Sequence, residues 1–554
     1  MTPPANTPYT AHLDAFVRDH LPAPEDRPDF LFTLPDLQYP ERLNATTAFV
    51  DSHVEAGRGE RPCLISPFER WSYRDLQSRV DRIARVLVER LGLIPGGRVL
   101  LRAPNTPMLA AAHLAVWKVG GVVVATMPLL RAKELSILTA KARISLALCD
   151  GRLLGELEKA REAVPRLERI VSFGHSPAES EGELERLMTE VSGEALAPCD
   201  TAAEDPCLVG FTSGTTGEPK GTIHNHRDLL ATCDSYGKHV LRAMDTDVFI
   251  GSPPLAFTFG LGGLLLFPLR AGASTVLLER ATPDELLPAT ARHRATICFT
   301  APTAYRVMVT RLSEHDISSL RIGVSAGETL PKPIWDAWHA ATGIELMDGI
   351  GSTEMLHIFI ASPQGEIRPG ATGRAVPGYE AKVVDEEGRE VPTGTIGRLA
   401  VRGPTGCRYL ADERQKAYVH DGWNFTGDSY VMDEDGYFWY QARSDDMIVS
   451  SGYNIAGPEV EAALLTHPAV AECGVVGAPD PERGQIVKAY VVLRPDHAGG
   501  AEMTKSLQDH VKAEIAPYKY PRAVAFVESL PRTGTGKLQR FRLREIARTE
   551  GNPA

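Results

Sequence analysis

Residues 211–221, FTSGTTGEPKG, gather small hydroxyl side chains, glycines and a lysine behind an apolar run over 207–211 that reads as a strand. In such a loop, backbone N–H groups and the hydroxyls of Thr212, Ser213, Thr215 and Thr216 can close around phosphate oxygens, while Gly214 and Gly217 let the backbone turn. Lys220 adds a positive charge. The spacing is not that of G-x-x-x-x-G-K-[ST], in which lysine follows glycine directly; here Glu218 and Pro219 stand between Gly217 and Lys220. A surface loop would share this composition, but the lysine behind an apolar strand points to phosphate handling.

Other groups fit the same chemistry. Glu354 closes GIGSTE and offers a hard oxygen to Mg2+. Asp428 follows Gly427 and can accept both hydroxyls of a ribose. Arg443 can hold a ribose or a phosphate. Lys537 ends TGTGK, a flexible tether for a charge. A carboxylate is a poor electrophile; joined to AMP it loses its charge and gains a phosphate leaving group. Bringing a carboxylate to the α-phosphate of ATP sets anion against anion and demands cations and donors aimed at the phosphates. Lys220, the loop hydroxyls, Mg2+ and a second lysine meet that demand.

These residues need a scaffold. The chain has 554 residues with 43% hydrophobic and 23% charged side chains, which is globular rather than disordered composition. Its formal net charge of −12 argues against non-specific nucleic-acid binding. Eight cysteines without a C-x-x-C pair suit reduced thiols in a cytoplasmic protein. The most apolar stretch, 255–269, is too short and too glycine-broken to span a membrane. The first 45 or so residues, rich in proline, read as an extended arm. Residues 73–91 carry helical periodicity, and short apolar runs at 98–102, 121–125, 144–149, 170–173, 275–278, 296–299 and 321–324 alternate with helices. That alternation predicts parallel sheets covered by helices, an α/β fold. After about 373 the runs 381–385, 398–402 and 437–440 suggest a small β-subdomain. A compact α+β unit follows, so the expected organisation is a large domain over 1–444, with its β-subdomain at 373–441, and a small mobile domain over 445–554.

The motifs together resemble the adenylate-forming acyl-CoA ligases. TSGTTGEPKG is similar to that family's phosphate loop. AGETL (326–330) stands where the family contacts adenine, GIGSTE (349–354) resembles G-Y-G-x-T-E, WNFTGD (423–428) resembles the ribose motif, RSDDMIVSSG (443–452) the hinge, and LPRTGTGK (530–537) the C-terminal lysine loop. The resemblance implies that Gly327, Glu328, Thr329, Asp348 and Thr353 join Thr212–Gly217, Asp428 and Arg443 around the nucleotide, with Lys220, Glu354 and Lys537 catalytic. It implies that Lys537 bridges the carboxylate and the α-phosphate, then withdraws as the C-terminal domain turns about Asp445. Gly452 and Tyr453 would then face the pantetheine of coenzyme A. Ile350 stands where the family usually has tyrosine.

GIGSTEMLHIF with GYNIAGPEVE resembles the benzoate–CoA ligase branch, and PDLQYPERLN the 2-aminobenzoate–CoA ligases. Phe257, Ala301, Ile350, Met355 and His357 can form a flat apolar slot with one polar edge, suited to a small aromatic ring with an ortho donor. Each of these side chains equally suits a core position. The expected partners are an aromatic acid, ATP and coenzyme A. A unit that loads a carrier protein, or a ligase for a non-aromatic acid, would carry the same motifs; oligomeric state is left open.

Overall fold

The computed structural model describes residues 9–174, 182–212, 218–443, 446–450, 453–480, 483–515, 517–532 and 537–550. The expected boundary at 444–445 lies outside them.

The alternation read from the sequence builds the first sheet. RVLLR forms the fully buried strand Arg98–Arg102. Thr106 then caps the helix Pro107–Lys118, its Oγ1 accepting the Leu109 N–H at 3.2 Å, and proline fills the first turn, where an N–H has no helical partner. The helix returns the chain to Val122–Thr126, parallel to Arg98–Arg102. The six-stranded sheet runs Arg169–Phe173, Leu146–Asp150, Arg98–Arg102, Val122–Thr126, Pro206–Thr212, Lys220–Asn225. The last pair is antiparallel, unlike the parallel order expected throughout. The physical reason is length: residues 213–219 are too few for a crossover, which needs roughly a dozen.

A nine-stranded sheet lies beside it. Its central strands Leu346–Gly351, Ile322–Ser325, Ile297–Thr300, Val248–Gly251, Ser274–Val276 and Pro62–Ile65 are parallel. Arg70–Ser72 at one edge, and Ile358–Ala361 with the edge strand Arg374–Ala375 at the other, pair antiparallel. Lys118, at the end of its helix, is 2% exposed and pairs with Asp51 at 3.1 Å and Asp81 at 2.5 Å, joining three segments in the core.

Glu380–Val384, Gly397–Arg402, Trp423–Met432, Val419–His420 and Phe438–Arg443 make an antiparallel sheet. The N-terminal arm bridges it at Phe30–Gly403 and pairs Arg42 with Ala202 beside the first sheet. The small C-terminal unit has its own sheet. Val470–Asp480 and Gly484–Leu493 form a long hairpin, Ala523–Phe526 adds in parallel, and helices Gly457–Leu465 and Ala501–Glu514 help enclose a core that includes Val460, Leu464, Val475, Val487 and Leu507. The chain is thus a large α/β domain followed by a small α+β domain. Among the described residues no helix is long and apolar enough to cross a membrane.

Candidate active site

The phosphate-loop motif links the antiparallel strands Pro206–Thr212 and Lys220–Asn225, whose pairing places Thr212 directly across from Lys220. Ser213, Gly214, Thr215, Thr216 and Gly217 lie outside the described residues. Gly210 on the first strand packs against GIGSTE: a Cβ there would meet Thr353 Cγ2 at 2.8 Å, so any larger residue would push the two motifs apart. The Thr353 carbonyl also accepts from His224 Nε2 at 2.7 Å.

Glu354 and Lys220 meet through a residue that the motifs do not mark. Tyr409 Oη donates to Glu354 Oε1 at 2.6 Å and accepts from Lys220 Nζ at 3.3 Å. Tyr409 is 1% exposed and Glu354 9%. Burial, then the adjacent Glu354 carboxylate, push the Tyr409 phenol far above its ordinary value, so it remains a donor. Tyr409 is held by its neighbours: its N–H donates to Gln415 Oε1 at 2.9 Å, and Arg408 is buried against Asp228 at 2.7 Å. Burial alone would raise the Asp228 pKa, but Arg408 and His224 hold its carboxyl well below the usual range. Asp228 also closes a capping box with Asn225, so the end of the Lys220 strand and the Tyr409 segment share one anchor.

The ribose candidates are cross-strand neighbours. Asp428 pairs with Arg443 in register, with Nη1 3.4 Å from Oδ1. Asp428 is 7% exposed. Gly427 between them is left-handed at φ 76°, and a Cβ there would strike Arg443 Nη2 at 2.9 Å.

Lys537 reaches this group from the C-terminal domain. It lies against Gly327 and feels Glu328, Arg443 and Asp428. The residue keeps solvent access, but protein packed around its amino end lowers its pKa, with Glu328 opposing. Burial raises the Glu328 pKa, and Arg532 and Lys537 counter it. Thr329 is exposed beside Gly327. The structure therefore gathers Lys220, Glu354, Thr353 and Thr212 on one side and Gly327, Glu328, Asp428, Arg443 and Lys537 on the other. Asp348 lies on the strand Leu346–Gly351 that leads into GIGSTE, half-buried, and burial pushes its carboxyl up to about 7 against hydrogen bonds from the Gly349 and Leu330 backbone. Asp445 and Gly452 lie outside the described residues. Tyr453 opens the strand Tyr453–Ile455.

Among the described residues no three His, Cys, Asp or Glu side chains form a metal cage. Glu354 fits Mg2+ differently, because Tyr409 engages only Oε1. A hard cation that keeps waters and binds through one carboxylate and phosphates needs no more protein than that.

The expected slot residues divide. Phe257, Ala301 and Ile350 are partly exposed, whereas Met355 is fully buried with its carbonyl accepting from Thr405 Oγ1 at 2.7 Å. His357 is 2% exposed and ringed by Phe267 at 4.6 Å, Tyr236 at 5.5 Å, Phe259 at 5.8 Å and Phe299 at 6.4 Å between centroids. Phe257 is not among these rings. Gly262 lets its helix approach: a Cβ would stand 2.3 Å from His357 Cδ2. Burial lowers the His357 pKa to about 3, so the ring is neutral. Its Nε2 lies 3.4 Å from the Phe259 carbonyl, which can only accept; the proton is therefore on Nε2, and Nδ1 carries a lone pair. Among the described residues, Nδ1 and the hydroxyl of the fully buried Tyr236 have no hydrogen-bond partner.

Residues 51–409 match the model of the AMP-binding enzymes, and 459–537 that of the AMP-binding enzyme C-terminal domain. The chain is 37% identical over 518 residues to a benzoate–CoA ligase of Thauera aromatica, covering 92% of this chain and 98% of that one. It is similar to the crystal structure of the anthranilate CoA ligase AuaEII in complex with anthranoyl-AMP (TM-score 0.88, 35% identity, 93% of this chain and 99% of that one). It also resembles a benzoate CoA ligase from Burkholderia xenovorans LB400 (TM-score 0.82, 33% identity, 91% of this chain and all of that one). With both family segments matched and a relative 37% identical over 92% of the chain, the chain belongs to the AMP-binding enzymes, in the adenylate-forming acyl-CoA ligase superfamily.

Proposed function

We propose that this enzyme activates an aromatic carboxylic acid, 2-aminobenzoate in the first instance, with ATP and passes the acyl group to coenzyme A, yielding aryl-CoA, AMP and pyrophosphate. The observation that carries the aromatic reading is the ring box around His357, with Nδ1 of His357 and Oη of Tyr236 buried and unpartnered. Buried polar atoms are nearly always satisfied, so two left open inside an aromatic enclosure suit a ligand that brings its own donor. An amine beside a carboxylate can donate to His357 Nδ1 and exchange a hydrogen bond with Tyr236; an unsubstituted ring or a fatty acid cannot. The similarity to AuaEII, an anthranilate CoA ligase crystallised with anthranoyl-AMP, supports the same class.

In the first half-reaction a carboxylate oxygen attacks the α-phosphorus and the bond to the pyrophosphate oxygen breaks. Lys220, Thr212 and the loop through Gly217 hold the departing phosphates. Asp428 and Arg443 fix the ribose, and Gly327, Glu328, Thr329, Asp348 and Thr353 frame the rest of the nucleotide. Lys537 neutralises the approach of carboxylate to α-phosphate, the step in which like charges meet. Mg2+, held by Glu354 and phosphate oxygens, would supply further charge stabilisation. In the second half-reaction the thiolate of coenzyme A attacks the acyl carbon and AMP leaves. Lys537 must withdraw for this, and rotation of 445–554 about Asp445 against 1–444 brings Gly452 and Tyr453 to the pantetheine.

Pyrophosphate release is to be measured with benzoate, 2-aminobenzoate, 2-hydroxybenzoate, acetate and hexanoate in competition, with and without coenzyme A. Preference for 2-aminobenzoate, with thioester formed only when coenzyme A is present, is the expected result; preference for hexanoate refutes the aromatic reading.

A further inference from the structure

We propose that Tyr409 is a positioning residue that keeps Lys220 and Glu354 from closing into a direct ion pair, leaving both available to a magnesium nucleotide. This rests on the nucleotide reading above.

Lys220 and Glu354 carry opposite charges, and among the described residues they are linked through the Tyr409 hydroxyl and not directly. A hydroxyl has one proton and spare lone pairs. With its proton on Glu354 Oε1 at 2.6 Å, it turns a lone pair toward Lys220 Nζ at 3.3 Å, and both of its functions are in use. One carboxylate oxygen is committed and the other is left for a cation. The ammonium is held loosely, at a distance that a phosphate oxygen can compete with. The phenol cannot swing aside. Its ring lies edge-on to Tyr418 with centroids 5.7 Å apart, its backbone bridges Thr222 on the Lys220 strand, and Gln415 holds its N–H.

Without the hydroxyl, a buried carboxylate lacks its donor and a lysine its acceptor, and the two opposite charges that shared one oxygen are left to pair with each other. The ion pair so formed must be broken before nucleotide binds. The loss should therefore appear in binding, before any chemistry.

The test is calorimetric titration of the full chain with MgATP, and with ATP in EDTA, for wild type, Tyr409→Phe and the double variant Tyr409→Phe/Glu354→Gln, with melting temperatures measured alongside. Tyr409→Phe should weaken MgATP binding about tenfold, the size of one charge-assisted hydrogen bond, and raise the half-saturating Mg2+ similarly. In EDTA its ATP affinity should also fall, and Glu354→Gln should restore it, because no carboxylate remains to capture Lys220. A purely structural role would not be rescued that way. Unchanged MgATP affinity in Tyr409→Phe, or a loss in EDTA that Glu354→Gln does not recover, overturns the proposal. Failure of the wild type to bind MgATP overturns both this and the nucleotide reading. Binding without pyrophosphate release on any acid refutes only the acid reading, and the calorimetry still decides the role of Tyr409.

Discussion

Lys537 and Gly327 lie in van der Waals reach across the two domains: a methyl group built on Gly327 would stand 3.5 Å from Lys537 Cε and 4.0 Å from Nζ. Gly327 is left-handed at φ 91°, so alanine there is strained, although its methyl would meet Lys537 at ordinary contact distance. On the function proposed above, this pose is the one that would bring the C-terminal lysine to the nucleotide for acyl-adenylate formation. Lys537→Ala should cut acid-dependent pyrophosphate release by about a hundredfold or more, typical for losing a charge aimed at the transition state. Thioester formation from supplied acyl-adenylate should stay near wild type. Equal damage to both half-reactions would contradict the alternating-domain mechanism.

Asp445→Pro fixes one backbone torsion at the expected hinge. Adenylation should survive, and the thioester step should slow by about tenfold or more, since only the second pose requires the turn. Single-turnover assays of each half-reaction separate the two. A variant that slows adenylation and leaves the thioester step intact would place the hinge elsewhere.

Tyr236→Phe removes the open hydroxyl of the ring box and leaves its aromatic wall. The ratio of kcat/KM for 2-aminobenzoate over benzoate should fall about tenfold, the discrimination expected when a buried polar partner is lost. An unchanged ratio would mean that the amine is read elsewhere.

The Asp348 carboxyl is held up to about 7 from an ordinary 3.8. The folded state therefore binds a proton that the unfolded state has released, and between these two values stability falls as pH rises. Asp348→Asn should remove that part of the slope. Its melting temperature should gain on wild type at pH 8, and the gain should shrink toward pH 5. Parallel melting curves for the two proteins across that range would argue against the raised value.

Lys118 is enclosed with Asp51 and Asp81. Lys118→Met leaves two buried carboxylates without their cation and should cost about 3–5 kcal/mol in denaturant unfolding. Replacing Lys118, Asp51 and Asp81 together by apolar residues should recover much of it, as judged by the urea midpoint.

Much of the scaffold is legible in the sequence because it is local. Strands such as Arg98–Arg102 and Ile297–Thr300 are short apolar runs between helices with ordinary capping signals, and the two-domain plan follows from a change of texture late in the chain. The hairpin under the phosphate loop is less so, since an apolar run does not state the direction of its neighbour; only the short connection does. Lys220, Glu354, Asp428 and Lys537 carry motif spacing. Tyr409 does not. It lies 55 residues from Glu354 and 189 from Lys220, in a segment whose composition resembles any buried turn. The rings around His357 arise likewise from separate elements. Phe259 lies two residues beyond Phe257 and Phe299 two before Ala301, both expected slot residues, whereas Phe267 and Tyr236 adjoin none.

Glu472 in the small domain is shared. Arg306 of the large domain binds it at 2.8 Å and Arg532 of its own domain at 2.9 Å, and Arg532 also faces Glu328 at 3.7 Å. These partly exposed ions sit between the two bodies that, on the proposed mechanism, part once per turnover. Dissolved salt weakens such contacts within a Debye length of roughly 8–10 Å. The ionic composition of the surroundings thus becomes a dial on how long the catalyst dwells in each pose, one that acts on turnover without touching the bonds that are made and broken.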